Sequence, residues 1–336
     1  MPPFFSIVAV NYNGQQFLRP YLDSLRRQTF RDFELIVVDN QSTDGSRAWL
    51  ESQGRDLVLI PNRYNAGYAL ALNQGARIAR GEWLIASNVD VVVASDCLEH
   101  LHHAARAESA TDLLAVCAVR SSDPARLDTA GHVVYPDGLT RGRGIGRPRT
   151  EYARREEVFG GSGAFNACRR GLWDRLGGMD ADFGAYCEDA DFTWRARLQG
   201  ARAGYLPDAL VQHHFSGGFG RASASKLYLV ERNRLWLAMK NLPAPLLLAS
   251  PAWTAWRYAW AAVGLRRGRG FAAEFAGGSA AGARVLLRAY ADAWRGLPRM
   301  LAKRRQIQRE RRVSVSDVAG WLRRFGVSAR EIMWEL

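Results

Sequence analysis

The sequence predicts an α/β fold: a mostly parallel central sheet flanked by helices, followed by a helical C-terminal region. Three observations predict it. Between Phe4 and Ser87, short apolar runs alternate with stretches whose apolar residues recur at helical spacing. Four of the runs end in clusters of Asn, Asp, Ser or Gly. From Ser225 onward the strand-like runs give way to helical patterns rich in Arg and Trp. Strands of ~5–6 residues alternating with ~10-residue helices imply βαβ units. The 336 residues are 48% hydrophobic and 24% charged, which excludes wholesale disorder and leaves room for a sizeable core.

Phe4–Val10 is a short apolar run that ends in Asn-Tyr-Asn-Gly, a buried strand followed by a polar loop. Phe17–Gln28 carries Leu18, Tyr21, Leu22 and Leu25 on one helical face. Phe33–Val38 is the second strand, Asp39–Gly45 a dense turn cluster, Ser46–Gln53 a helix and Asp56–Ile60 the third strand. The loop Pro61–Gly67 leads to a helix at Tyr68–Ala79 with a small-residue face, and Glu82–Ser87 is the fourth strand. Leu113–Val119 reads as a fifth strand. Ser121–Glu157, polar and rich in Gly, Arg and Pro, reads as a long loop or hairpin over the sheet. Val158–Cys168 is strand-like, Arg170–Gly177 a short helix closed by glycine, and Asp189–Gln199 a helix ending at Gly200. Ala203–Pro207 and Ala209–Val211 read as a final strand pair. In parallel sheets the ligand crevice lies at the carboxyl ends of the strands. The polar clusters Asn11–Asn13, Asp39–Asp44, Asn62–Asn65 and Asn88–Asp90 all fall there and predict one composite site.

Charge divides the chain. Up to Ser225 there are 25 Lys and Arg against 26 Asp and Glu; from Lys226 there are 21 against 7. The whole excess of +13 therefore lies in the last third, and all but three of the basic residues are Arg, which grips phosphate bidentately. A neutral body with a basic tail suggests an anionic partner: membrane, nucleic acid or phosphorylated lipid. Four cysteines without a C-x-x-C pair suggest reduced thiols and a cytoplasmic location. Met1–Val10 lacks a basic n-region, so no signal peptide is expected. Leu242–Trp256 is uncharged over 15 residues but holds three prolines and falls short of the ~20 apolar residues of a span.

Two constellations carry chemistry. In extended chain Asn88 and Asp90 point the same way and can address one ligand past a strand end. Oxygen donors at that spacing suit Mg²⁺ or Mn²⁺ on a diphosphate, although Asn and Asp also populate ordinary turns. Glu188, Asp189 and Asp191 open a helix; Asp191 can simply pair with Arg195 at i, i+4, whereas Glu188 and Asp189 sit among apolar neighbours. Such surroundings are expected to raise a carboxylate pKa toward base strength. His213 follows a strand and reads either as a metal or phosphate ligand or as a structural histidine. The absence of G-x-G-x-x-G and G-x-x-x-x-G-K-[ST] after the first strand argues against dinucleotide oxidoreductases and P-loop NTPases, and that of G-x-S-x-G against serine hydrolases.

Taken in order, Val10–Gly14, Val37–Ser46, Asn62–Gly67, Asn88-Val89-Asp90, Gly161–Arg170, Glu188–Asp191 with Arg195, and His213 with Ser216 resemble an inverting family 2 glycosyltransferase of the GT-A fold. The Asp128–Gly131, Gly142–Gly144 and Glu231–Arg234 pieces look most like bacterial rhamnosyltransferases. The resemblance implies a Rossmann-like nucleotide-sugar-binding domain over 1–220, with a nucleotide half at 1–115 and an acceptor half at 116–220, and a helical region over 221–336. It implies that Val10, Asn11 and Asp39 hold nucleobase and ribose, that Asn65, Gly67 and Asn88 line the nucleotide-sugar pocket, and that Asp90 and His213 contact Mg²⁺ or Mn²⁺. Asp189 would be the general base, and Glu188, Gly161 and Ser162 would shape the acceptor site. The first acid of the usual Asp-x-Asp is Asn88 here, a weaker ligand. The implied partners are a dTDP- or UDP-sugar and a glycan or lipid-linked acceptor of cell-envelope synthesis. No Gln-x-x-Arg-Trp motif accompanies them, against a processive polysaccharide synthase.

Seven of eleven tryptophans lie beyond residue 225, and Trp253, Trp256 and Trp260 share one helical face with Arg257 beside them. Indole and guanidinium together suit a headgroup region, so peripheral attachment at the inner face of the plasma membrane is expected. Packing of the same tryptophans on the body is the competing reading. Basic charge with aromatics also fits single-strand binding, but the acidic cluster in the body has no use there, and no nucleic-acid partner is expected. A catalytically inactive scaffold is the remaining alternative.

Overall fold

The computed structural model describes residues 1–107, 110–214, 223–270, 275 and 278–334. Its first half follows the alternation of the sequence: β1 (Phe5–Asn11), α1 (Gln15–Arg26), β2 (Phe33–Asp39), α2 (Ser46–Glu51), β3 (Val58–Pro61), α3 (Tyr68–Ile78), β4 (Trp83–Asn88), β5 (Val91–Val93), α4 (Cys97–Ala107) and β6 (Leu113–Arg120). Every residue of β1 is buried because helices cover both faces of the sheet, as parallel strands require. The predicted face of α1 is the buried one: Leu18, Tyr21, Leu22 and Leu25.

The stretch read as a loop or hairpin is more structured. It contains β7 (Asp123–Thr129), a small hairpin of β8 (His132–Val134) and β9 (Thr140–Gly142), and β10 (Glu156–Val158). β11 (Phe165–Arg169), α5 (Arg170–Leu176), α6 (Glu188–Leu198) and β12 (Ala203–His213) complete the body. The expected final strand pair is one strand, interrupted by a register shift between Leu206 and Leu210 where Pro207 cannot donate to the ladder.

The main sheet runs β10-β12-β6-β11-β4-β1-β2-β3. β3, β2, β1 and β4 are parallel neighbours. β11 enters antiparallel between β4 and β6, which makes β6 and its parallel neighbour β12 run with the first four. The carboxyl ends of β1, β2, β4, β6 and β12 therefore open on one edge.

The C-terminal helices are α7 (Ala224–Asn241), α8 (Ala244–Arg266), α9 (Gly278–Arg295), α10 (Leu297–Glu310), α11 (Val315–Arg324) and α12 (Ala329–Trp334). They share a core with the body: Phe159, Phe183, Trp194 and Leu198 pack with Trp236, Leu237, Met300, Val318 and Phe325. This explains why α6 is buried nearly all round, with the sheet on one side and α7 on the other. Asp191, fully buried, accepts from Arg195 (2.9 Å) as the i, i+4 spacing predicts, and also from Asn241 of α7 (2.8 Å). Among the described residues no helix is long and apolar enough to cross a membrane.

Candidate functional site

The end of β1 meets the end of β2 through side chains. Asn11 donates to Asp39 (2.8 Å) and to the Ser42 hydroxyl (2.9 Å), and Asp39 accepts from the Ser42 amide (3.1 Å). Asn11 and Asp39 are buried, and Val10 lies between Val38 and Asn88 in the register. The next loop is tied on by amides. Asn40 donates to Asn65 (2.8 Å) and accepts from Asn62 and the Ala66 amide, while Asn65 caps the Gly67 amide (3.0 Å). Gly67 has φ +76°, and a Cβ there would stand 3.2 Å from the Gly184 carbonyl, so only glycine lets these two loops meet.

Tyr68 joins that half to the other. Its amide donates to Gly184 O (2.9 Å) and its hydroxyl to Gly163 O (3.1 Å). Burial pushes its phenol well above the ordinary range, and the carboxylates of Glu188, Asp189 and Asp90 each push it further. All three acids are thus within electrostatic reach of one ring.

Asp90 faces His213, with Oδ1 and Nε2 3.3 Å apart; the other ring nitrogen, Nδ1, lies 2.7 Å from Asp128. Burial lowers the His213 pKa, but Asp128 and Asp90 outweigh it and push it up to about 10. Asp189 Oδ2 accepts from the Gly163 amide (2.7 Å), next to Gly161 and Ser162, and Oδ1 from the Ala190 amide (2.7 Å). His132 Nε2 lies 3.5 Å from Oδ2.

The two neighbouring acids differ. Burial, then the Asp189 charge, raises the Glu188 pKa. Burial acts the same way on Asp189, yet His132 and the two backbone amides overcome it and hold Asp189 below the ordinary carboxylate range. The expectation that the apolar surroundings raise both is therefore corrected: it holds for Glu188 and fails for Asp189, because His132 and the amides of Gly163 and Ala190 converge on Asp189 whereas Glu188 has its own backbone amide.

Buried polar atoms without partners concentrate here. Of twelve such side-chain atoms among the described residues, six belong to Asn11, Asp90, Arg120, His132 and Glu188. Arg120 ends β6 beside His213 in the register. Unsatisfied buried groups are costly, so their gathering at one edge marks a place where a ligand completes the bonding.

The sequence singled out Val10, Asn11, Asp39, Asn65, Gly67, Asn88, Asp90, Glu188, Asp189, His213, Gly161 and Ser162, and all of them line this edge of strand ends and its loops. Ser216 lies outside the described residues. Sequence reasoning missed Tyr68 and His132, named Asp128 only within the Asp128–Gly131 piece, and gave no role to Asn233. Asn233 of α7 donates to the carbonyls of Phe183, Ala185 and Tyr186 (3.0, 2.9 and 2.7 Å), bracing the loop before Glu188 where Tyr186 and Cys187 have positive φ. The Glu231–Arg234 run was the available signal for it.

Among the described residues no three His, Cys, Asp or Glu side chains form a ready cation cage. A diphosphate-bound Mg²⁺ or Mn²⁺ needs only one or two protein ligands, however, since phosphate oxygens and water supply the rest. Asp90 Oδ1, buried with the His213 ring at 3.3 Å, fits that role, and His213 Nε2, whose ring is fixed from behind by Asp128, would fit it once a cation displaces its proton.

Comparison with known proteins agrees with the geometry. Residues 6–177, just over half of the chain, match Glycosyl transferase family 2. The N-acetylglucosaminyl-diphospho-decaprenol L-rhamnosyltransferase of Mycobacterium tuberculosis is 27% identical over 267 residues, covering 70% of this chain and 87% of that protein. Among solved structures, the mannosyltransferase PcManGT from Pyrobaculum calidifontis, in complex with GDP-Man and Mn²⁺, aligns with a TM-score of 0.52 at 20% identity, over 92% of this chain and 86% of that one. TarS 1-349 of S. aureus in complex with UDP-GlcNAc aligns with a TM-score of 0.56 at 18% identity, over 100% and 93%. At such identities the structural likeness establishes the fold, and both neighbours support a GT-A arrangement.

Proposed function

This chain belongs to glycosyl transferase family 2, and we propose that it is an inverting, metal-assisted glycosyltransferase that moves a sugar, rhamnose in our reading, from a dTDP- or UDP-linked donor to a hydroxyl of a glycan or lipid-linked acceptor in cell-envelope synthesis. One observation carries this reading: Asp189, held by the Gly163 and Ala190 amides with His132 at 3.5 Å, and Asp90, 3.3 Å from His213, both lie within electrostatic reach of Tyr68 at the strand ends. The rhamnose and the lipid-linked acceptor rest on the Mycobacterium tuberculosis relative.

In this reading Val10, Asn11 and Asp39 hold the base and ribose, and Asn65, Gly67 and Asn88 line the donor pocket. Asp90 and His213 would hold a cation, which would supply positive charge beside the leaving diphosphate. Asp189 takes the proton of the acceptor hydroxyl as its oxygen attacks C1 from the face opposite the diphosphate. The C1–O bond to phosphate breaks and the anomeric configuration inverts. Glu188, kept neutral by its surroundings, has a free Oε2 to donate to the acceptor, beside Gly161 and Ser162. We divide the chain accordingly: 1–115 binds the nucleotide sugar, 116–220 the acceptor, and 221–336 is a helical region that buttresses the acceptor half.

The test is a donor panel of dTDP- and UDP-sugars assayed with Mn²⁺ and with EDTA. The wild type is expected to transfer from at least one donor only with the cation. Asp90→Ala is expected to lose at least ~10-fold in affinity for that nucleoside diphosphate in Mn²⁺ and little in EDTA. Transfer unaffected by EDTA would remove the metal from the proposal.

Membrane contact is narrower than the sequence suggests. Arg257 is buried against Asp137 (2.8 Å) and Glu231 (3.0 Å), and Trp260 packs on Trp334, so neither serves a headgroup region. Leu248, Trp253, Trp256 and Leu265 remain exposed on α8, which ends in the exposed Arg266 and Arg267, with Arg269 beyond. We place the enzyme in the cytoplasm, attached through this face to an anionic membrane. It is expected to float with phosphatidylglycerol liposomes at low salt and to be released at high salt; no flotation at low salt would reject the attachment.

A further inference from the structure

We infer that His132 is a positioning residue for the base: its imidazole holds one oxygen of Asp189 so that the other is presented to the acceptor hydroxyl. This rests on the assignment of Asp189 as base in the proposed function.

The geometry is specific to one oxygen. Oδ2 of Asp189 receives the Gly163 amide at 2.7 Å and has His132 Nε2 at 3.5 Å, whereas Oδ1 receives only the amide of its own neighbour, Ala190. A contact of 3.5 Å is long for a hydrogen bond, but catalytic contacts are commonly this loose before substrate binds. His132 is 4% exposed, and its other nitrogen, Nδ1, is buried with no partner. An imidazole recruited only for packing or for bridging the core has no reason to leave one nitrogen unsatisfied while its other nitrogen faces a carboxylate.

The backbone is built for this approach. The His132 amide donates to Gly160 O at 2.8 Å. Gly131 has φ +105°, and a Cβ there would stand 2.9 Å from the same carbonyl. Only glycine lets the chain come this near, and the nearness carries His132 to Asp189. Four residues earlier on the same segment, Asp128 holds His213 at 2.7 Å. One short connection, Asp128–His132, therefore reaches both the proposed cation side and the proposed base. A carboxylate held at one oxygen cannot swing about its terminal torsion, and a donor at that oxygen favours its ionised form.

The experiment compares His132→Leu, which removes the donor, with His132→Gln, whose amide can restore one. Transfer is measured from about pH 3 to 9 with the donor that the panel identifies, alongside Asp189→Asn. The titratable groups facing Asp189 are Glu188 and Cys187 on its own segment, Tyr68 from α3 and His132 from β8. Only His132 changes between these variants.

His132→Leu is expected to lose ~10-fold in kcat, a fraction of what a general base supplies. Its donor KM should stay unchanged, and its acid limb should move to higher pH. His132→Gln is expected to recover most of kcat at neutral pH. Wild-type kcat and acid limb in His132→Leu would overturn the inference. So would equal losses in both variants with an unmoved limb. If His132→Leu does not fold, His132→Ala takes its place in the same comparison. If Asp189→Asn is fully active, the base assignment itself fails; if it is inactive while His132→Leu matches the wild type, only this inference fails.

Discussion

Replacing Asp189 with asparagine is expected to lower the transfer rate by ~10²–10⁴-fold while nucleoside diphosphate affinity stays within about twofold of the wild type. The span corresponds to about 2.7–5.5 kcal/mol of barrier. Asparagine has nearly the same shape, and its one oxygen can still accept from either the Gly163 or the Ala190 amide, but an amide cannot take a proton at neutral pH. The nucleotide-side residues Asn11, Asp39 and Asn65 lie on other loops and are untouched. Sugar-transfer rates and calorimetric binding of UDP with Mn²⁺ check both halves of the prediction. A variant with full activity would remove Asp189 from the role of base. In the wild type the base must be ionised. Because Asp189 is held below the ordinary carboxylate range, its acid limb is expected below that range, leaving the rate flat through neutrality.

The parts of this site that the sequence displays are those set by local pattern. Asn11, Asp39 and Asn88 could be placed because each ends a buried apolar run, and parallel strands bring such ends together. The helix that begins at Glu188 and the pairing of Asp191 with Arg195 follow from i, i+4 spacing. Asp128 and His132 could not be read in this way. Their partners, His213 and Asp189, lie 85 and 57 residues away, and neither sits in a run with a period. β8, β9 and β10 have three residues each, and β7 is joined to β6 with two register shifts, so alternation never develops over enough residues to announce a strand. The order of the Glu188 and Asp189 pKa values was equally hidden, since it depends on the amide of Gly163 and the ring of His132 arriving from elsewhere in the chain. Composition likewise misled on Arg257, which counts toward the basic tail yet is spent inside the protein.

That buried arginine leads to the largest expected effect on stability. Glu231 is buried and accepts from Arg257 (3.0 and 3.2 Å), Arg234 (2.6 Å) and Tyr258 (2.9 Å), while Asp137 accepts from Arg257 at 2.8 Å. Two carboxylates thus balance two guanidinium groups where α7 and α8 meet the turn after β8. Glu231→Gln leaves two cations facing one anion in the interior, and an uncompensated buried charge costs about 3–5 kcal/mol. For a chain of this size that is a fall of roughly 4–7 °C in Tm. The double variant Glu231→Leu with Arg257→Met removes one charge of each sign and leaves Arg234 with Asp137 (3.5 Å), so it is expected to recover at least half of the loss. The pH dependence follows from the same contacts. Burial alone raises the Glu231 pKa, but Arg234 and Arg257 pull it down to about 2. A lowered carboxylate pKa contributes stability that is complete above its unfolded value of 4.5 and drains away as pH falls toward 2. The Tm gap between wild type and Glu231→Gln should therefore be full at neutral pH and close between pH 4.5 and 2. Calorimetric scans across that range decide it: a gap that is under ~2 °C at pH 7, or that does not narrow on acidification, would mean that α7 and α8 are held by their apolar contacts alone. Because Asn233 sits on the same helix and braces the loop before Glu188, loosening α7 should also slow transfer well below the melting temperature.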